Sequence, residues 1–424
     1  MKFVPLTELA REITVGYVGP MAQEYIENGI PFLRSQNVKP FKFDPDQIKF
    51  ISEEFDKRIK KSRLSPGDVI VVRTGNPGVA CVVPTTLPEA NCSDLVIVRC
   101  REEIDPHYIC YYINSVTHSH VSGQLVGAIQ KHFNVGSAKE LLVPDITPYQ
   151  RKQTAAILRS LDEKIELNNR INEELESLAK LIYDYWFVQF DFPITAAQAD
   201  AMGDPTLEGK PYKSSGGPMT HNHQLNREIP EGWTANTPSS KALLNELEWN
   251  DRTAPNKVTY LDLSNAKGGK ILGTNNYSWE TAPSRAKRIL RDGDTVIGTV
   301  RPGNRSYCLI GPSETQLTGS TGFAVFSPID SIFREFTYLT LTSAHNIKRL
   351  ATVASGASYP AVNSNVVGSH PMAFPSDELI EGFHRKTAPM FDLLLTNQKQ
   401  NQELAALRDW LLPMLMNGQV TVQS

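Results

Sequence analysis

Leu64-Ser65-Pro66-Gly67-Asp68-Val69-Ile70-Val71-Val72-Arg73-Thr74-Gly75-Asn76-Pro77-Gly78 is answered further along by Leu290-Arg291-Asp292-Gly293-Asp294-Thr295-Val296-Ile297-Gly298-Thr299-Val300-Arg301-Pro302-Gly303-Asn304. Each copy reads as a Gly-Asp turn, a buried β-branched strand, and a Gly/Pro/Asn loop carrying an arginine. The match extends outward on both sides. Residues 30–38 (IPFLRSQNV) pair with 258–266 (VTYLDLSNA), each a short strand running into a polar loop. Residues 94–98 (DLVIV) pair with 322–326 (GFAVF), and the apolar helix-like stretch 108–115 pairs with 336–343. The period, roughly 227 residues, is far longer than that of a solenoid repeat. Two matching blocks in the same order predict two copies of one α+β domain.

Each copy leads into a long helical pattern. The first opens at Thr147-Pro148-Tyr149-Gln150, which is an N-cap, a proline at the first helical position and a capping-box glutamine. Leu158, Leu161, Ile165, Asn168, Asn172, Leu175, Ala179 and Ile182 then recur in 3/4 spacing, a heptad seam. A shift of 229 lands on Met390, Leu394, Asn397, Asn401, Leu404, Arg408 and Leu411. The seam survives, with Arg408 in place of Ala179, and both copies carry two asparagines at matching positions. A buried asparagine costs stability but fixes register, so the pattern predicts antiparallel helices with Asn168 and Asn172 near Asn397 and Asn401. Pro389 is expected to kink or begin the second helix. At 1.5 Å per residue, 148–187 would span roughly 55–60 Å, enough to hold two heads one to two DNA turns apart. Residues 191–224 are rich in Gly, Pro, Ser and Asn without periodicity and read as a linker, most flexible over 209–217. The expected divisions are therefore heads at 1–147 and 225–375, helices at 148–190 and 376–418, and the linker between.

The totals narrow the function. With 424 residues the chain can bury several cores. A formal net charge of −3 does not suit a non-specific DNA binder, so any positive surface must be local or supplied by partners. No apolar run approaches a membrane span, and Met1-Lys2-Phe3-Val4-Pro5 lacks the apolar core of a signal peptide. Five cysteines, an odd number without a CxxC pair, read as buried thiols in a reducing cytoplasm. Catalytic signatures are missing: there is no GxxxxGK[ST] phosphate loop, no Gly-rich cofactor turn, no Asn-Pro-Pro-aromatic tetrapeptide, no GxSxG and no HExxH. The nine histidines are scattered, which argues against a metal site. Asp162-Glu163-Lys164 resembles half a nuclease motif, but its place on the helical pattern reads as a solvated face.

The order of parts resembles the specificity (S) subunits of type I restriction–modification enzymes. The likeness covers nearly the whole chain and is strongest in 169–187 (NRINEELESLAKLIYDYWF), 209–219 (GKPYKSSGGPM), 228–233 (EIPEGW) and 407–418 (LRDWLLPMLMNG). It implies two target-recognition domains separated by an antiparallel coiled coil of two long conserved helices, with pseudo-twofold symmetry. It also implies a non-catalytic subunit that reads a split, asymmetric site on double-stranded DNA. Two methylase (M) subunits would bring S-adenosylmethionine for adenine N6 methylation. Two restriction (R) subunits would add ATP- and Mg-dependent translocation and cleavage. No cofactor is expected in this chain, and no membrane.

Sequence reading needs donors and acceptors at base edges, chiefly Arg to guanine and Asn or Gln to adenine. The first head offers Arg34, Gln36 and Asn37, then Arg73, Thr74 and Asn76, then Gln130, Lys131 and His132. The second offers Ser264, Asn265 and Lys267, then Arg301, Asn304 and Arg305, then Ser358 and Tyr359. Lys57, Arg58, Lys60 and Lys61, with Arg285, Lys287 and Arg288, suit phosphates better. Apolar surface beyond the helical seam (Ile182, Tyr185, Trp186, Phe187, Trp410, Leu411 and Leu415) is the expected methylase interface. Two rivals stand against this reading. A single-chain methylase or nuclease would need a cofactor motif. A coiled-coil adaptor that binds no DNA would leave the arginine-bearing loops of both copies unexplained.

Overall fold

The computed structural model describes residues 2–117 and 133–420. The chain divides into two compact units, one of residues 1–167 with 400–424 and the other of 168–399.

In the first unit the strand Val69–Val72 is buried at all four positions. The reason is that both of its faces are covered. Val69 and Val71 pack with Val96, Val98 and the helix Pro106–Thr117 on one side. Ile70 and Val72 pack with Leu33, Cys92 and Ile97 on the other. A period-2 strand buried on both faces reads in sequence as an unbroken apolar run. The sheet runs Ala80–Val82, Val69–Val72, Leu95–Cys100, Ala10–Val15, antiparallel throughout. A second sheet runs Tyr25–Ile26, Lys49–Ile51, Ile30–Leu33, Ala90–Cys92, Arg63–Leu64, and its pair Ile30–Leu33 with Ala90–Cys92 is parallel.

The second unit repeats this order, except that among the described residues the edge strand Tyr25–Ile26 has no counterpart. Its first sheet runs Tyr307–Leu309, Thr295–Gly298, Phe323–Pro328, Ala242–Leu244. Its second runs Asn275–Ser278, Lys257–Leu261, Leu317–Ser320, Ala286–Leu290, again with one parallel pair, Lys257–Leu261 with Leu317–Ser320. The Gly-Asp turns match in detail. Gly67 (φ 89°) and Gly293 (φ 86°) take the left-handed backbone open to glycine. The following aspartates accept from the backbone three residues back, Ser65 N to Asp68 at 2.9 Å and Arg291 N to Asp294 at 2.7 Å. In each head a strand near its start pairs with its last strand, Phe3–Pro5 with Leu142–Pro144 and Thr234–Asn236 with Met372–Phe374. That pairing brings each long helix out of a closed head.

The first long helix, Pro148–Tyr183, begins at the expected cap. Gln150 N donates to Thr147 Oγ1 at 3.2 Å, and Thr147 N donates back to Gln150 Oε1 at 3.1 Å. It closes in a π turn over Asp184–Val188. The second long helix, Asp377–Met416, does not begin at Pro389: it starts twelve residues earlier and continues through Pro389 and Pro413. A proline inside a helix costs about 3 kcal/mol. The burial of Ile380, Phe383, Phe391 and Leu394 in the core of the second unit offsets that cost.

Within the second unit the helical segments run antiparallel: Asn172 meets Asn397, and Tyr183 meets Phe383. In the first unit Asp162 takes Arg408 in a 2.7 Å ion pair, and Leu158 shares a core with Leu412 and Leu415. Asp162 is therefore not on a solvated face. It binds the seam arginine and accepts a hydrogen bond from Tyr111. Arg408 also lies over the Phe41 ring at 4.7 Å.

The stretch read as a linker is packed. Phe190, Phe192, Ile194 and Tyr212 are buried. Phe192 stacks on Tyr212 and on Trp233, with ring centroids 4.5 and 5.4 Å apart. Asp191 accepts from both N and Oγ of Ser214 at 2.7 Å. The Gly/Pro/Ser composition supplies tight turns around an aromatic stack rather than a loose chain.

Candidate nucleic-acid interface

The loops that follow the repeated strands carry the cationic side chains, and the structure sorts them by what each already holds. In the first unit Asn37 is not available to a ligand. It is fully buried and closes its own loop, accepting from Arg34 N and donating to the carbonyls of Asp44 and Asp46. This corrects its assignment as a base reader. A buried amide makes its bonds internally because leaving any unmade is costly. Gln36 beside it is exposed. Arg34 donates Nη2 to the Gln47 carbonyl at 2.6 Å and lies 5.9 Å from the Tyr25 ring, which Lys49 approaches at the same distance. Tyr25 and Lys49 were not selected from the sequence. The pairing of Lys49–Ile51 with Ile30–Leu33 on one side and with Tyr25–Ile26 on the other brings them beside Arg34.

Arg73 is paired with Asp94 at the root of its loop, while Thr74 and Asn76 stand exposed. Lys57, Arg58, Lys60 and Lys61 cluster on the short helix Glu53–Arg58 and the turn after it. Lys60 and Lys61 are exposed; Lys57 pairs with Glu53 at 3.6 Å and Arg58 with Glu24 at 2.9 Å. Gln130, Lys131 and His132 lie outside the described residues.

In the second unit Ser264 and Asn265 are bound into a turn around Asp262, which accepts from both backbone nitrogens and both side chains. Burial works against the Asp262 charge, but these hydrogen bonds hold its carboxyl below the usual range. Arg285, Lys267 and Lys287 are exposed, whereas Arg288 is neutralised by Glu248. Arg301 and Arg305 flank the turn Pro302–Asn304, both in the left-handed region at φ 48° and 56°, and Asn304 is exposed between them. Arg301 lies over the Tyr359 ring and donates to the Ser358 carbonyl. Three residues proposed from separate loops thus meet in space. Arg305 instead faces a cavity of about 730 Å³ within the unit, walled by Tyr183, Phe187, Leu339 and Ile347.

Among the residues expected to meet a partner, Trp186, Phe187 and Leu415 are buried within the chain and cannot serve one directly. Trp186 and Phe187 continue the buried face of Ala179 and Tyr183 at 3/4 spacing and pack against Phe383 in the core of the second unit. Ile182 and Leu411 are half-buried, and Tyr185 and Trp410 are exposed. Cys81, Cys92, Cys110 and Cys308 are buried and Cys100 is half-buried. Among the described residues no cluster of His, Cys, Asp or Glu could hold a metal ion, and no helix is long and apolar enough to cross a membrane.

No family model matches the chain. It is similar to the type I restriction enzyme MjaIX specificity subunit of Methanocaldococcus jannaschii, 22% identical over 335 residues covering 76% of this chain and 71% of the relative. It is also similar to the type I restriction enzyme HindI specificity subunit of Haemophilus influenzae, 26% identical over 334 residues covering 68% and 70%. Among solved structures, the S subunit of a type I restriction–modification system from M. genitalium shares the fold. That match has a TM-score of 0.54 at 13% identity, over 98% of this chain and 96% of that one.

Proposed function

We infer that the chain is the DNA sequence-recognition subunit of a type I restriction–modification assembly, with each head reading one half of a bipartite, asymmetric site. The observation that carries the reading is the duplicated pair of sheets, which gives the two heads one strand order and different loop chemistry. Relatives named as specificity subunits support it. The heads would be residues 1–147 and 225–375, and the helices 148–190 and 376–418 would form the antiparallel coiled coil between them. Linking two modest binders makes the second contact intramolecular and demands a fixed spacing between half-sites.

The reading gives the chain no catalytic step. The exposed loop cations would hold phosphates while a few clamped side chains read bases. Tyr185 and Trp410, the exposed aromatics of the expected partner surface, would dock two methylase subunits carrying S-adenosylmethionine. Restriction subunits would bring ATP and Mg, and the assembly would work in the cytoplasm on double-stranded DNA. A net charge of −3 fits a subunit whose non-specific affinity comes from its partners.

The test is mapping of N6-methyladenine in DNA from cells expressing this chain with its methylase subunit. Two short blocks separated by a fixed run of unspecified bases are expected, one block changing whenever one head is exchanged. An assembled complex with a competent methylase and no methylated motif would leave the chain a coiled-coil adaptor.

A further inference from the structure

We propose that Arg301 is the side chain with which the second head reads a guanine, and that Tyr359 and the Ser358 carbonyl hold its guanidinium in the reading position. This rests on the DNA-recognition reading above.

The backbone comes first. Arg301 sits at φ 48° and ψ 62°, and Arg305 four residues on at φ 56° and ψ 44°. Non-glycine residues take this conformation rarely and keep it only where their surroundings over-determine it. Here Arg301 N donates to the Pro360 carbonyl at 2.7 Å, and Val300 bridges to Ala361. Ser355 and Ala361 exchange two hydrogen bonds at 3.0 and 2.9 Å, closing the loop that carries Ser358 and Tyr359. The two loops are thereby tied at their bases.

The side chain is fixed as firmly. Its guanidinium carbon lies 4.6 Å from the Tyr359 ring centroid, and Nη2 donates to the Ser358 carbonyl at 2.8 Å. Tyr359 is 69% exposed, so the stack stands at the surface. Arg301 differs in its partner from four other arginines of the two heads. Arg58, Arg73, Arg288 and Arg291 each pair with a carboxylate, Glu24, Asp94, Glu248 and Glu246 respectively. A carbonyl orients Arg301 without cancelling its charge, and donors remain for a ligand.

A planar cationic fork with paired donors matches the two acceptors of guanine, O6 and N7, in the major groove. Holding the fork before contact reduces the entropy lost on binding. The first head has a looser version in Arg34, clamped by the Gln47 carbonyl with Tyr25 at 5.9 Å.

The experiment compares methylated motifs from the chain, its methylase subunit and variants at this clamp. The unaltered complex should give two blocks, one containing the guanine in question. Arg301→Lys should relax that single position roughly ten- to a hundredfold, the rest of the motif unchanged. Tyr359→Phe, which keeps the ring face, should preserve it; Tyr359→Ala should relax the same position. Arg301→Gly suits the left-handed backbone and guards against misfolding, and should lose the guanine preference with an unchanged melting temperature. Unaltered discrimination in Arg301→Lys overturns the proposal. So does uniform weakening of both blocks, the mark of a phosphate contact. If the unaltered complex yields no bipartite motif, the DNA-recognition reading itself fails, and the proposal with it.

Discussion

Asn397 donates its side-chain Nδ2 to Asn172 Oδ1 at 2.9 Å, and Asn172 donates on to the Leu394 carbonyl at 3.2 Å. Both asparagines are buried, so this chain of bonds is a polar element within the helical seam. Its chemistry separates stability from register. Asn172→Ala strands the Asn397 amide and should lower the unfolding free energy by about 1–3 kcal/mol. The double change Asn172→Leu with Asn397→Leu should cost less than either single change, because no polar group is left unpaired. A double-mutant cycle in urea would reveal it; additive losses would mean that the bond does not couple the two helices.

Arg408 and Asp162 make the equivalent test in the first unit. Burial works against the Arg408 charge, but Asp162 and Asp409 hold it and raise its pKa. Each partner is mostly covered, at 17% and 23% side-chain exposure. Asp162→Ala should therefore destabilise by about 2–3 kcal/mol, below the fully buried range because some solvent remains. Arg408→Met in that background should recover part of the loss, and chemical denaturation of the three variants would show it. An Asp162→Ala chain as stable as the parent would reduce the pair to an incidental contact.

The parts legible in the sequence were those with a period. The buried strands at 69–72 and 295–298 announced the duplicated heads, and heptad spacing put Asn168 and Asn172 near Asn397 and Asn401, of which the structure joins Asn172 to Asn397. What stayed hidden depended on long-range packing. Nothing local shows that Asn37 turns inward, because an asparagine beside an arginine in a polar loop looks the same bound or free. Phe190, Phe192 and Tyr212 form a stack without periodicity, so their Gly-rich surroundings read as a linker. Tyr25 and Lys49 reach Arg34 only across a sheet.

Asp294 gives a prediction in pH. Burial pushes its carboxyl above the usual range, against hydrogen bonds from Ser327 and the Arg291 backbone. A carboxyl whose folded pKa is raised binds its proton more tightly when folded. Its contribution is complete below the unfolded value of about 3.9 and is lost as pH climbs through the raised folded value. Relative to Asp294→Asn, which keeps an acceptor for Arg291 N without the charge, the parent chain should lose stability between pH 4 and neutrality. Urea unfolding at both ends of that window decides the matter, and parallel pH profiles would rule the effect out.

Trp410 and Phe187 separate a docking surface from a core. Trp410 is 57% exposed on the second long helix, whereas Phe187 is 3% exposed and packs edge-on to Phe336 and Phe383. Phe187→Ala should cost about 3–5 kcal/mol of stability, the usual loss for an aromatic removed from a packed interior. Trp410→Ala should leave unfolding within about 0.5 kcal/mol of the parent. If Trp410 anchors the methylase subunit, the same change should weaken that complex by about 2 kcal/mol or more, roughly thirtyfold in Kd. Titration calorimetry with the purified methylase subunit would measure it. Tyr185→Ala serves as an independent probe on the other helix, since Tyr185 is exposed. Full-strength binding by both variants would move the methylase interface off these aromatics, while the stability data would still fix Phe187 as core.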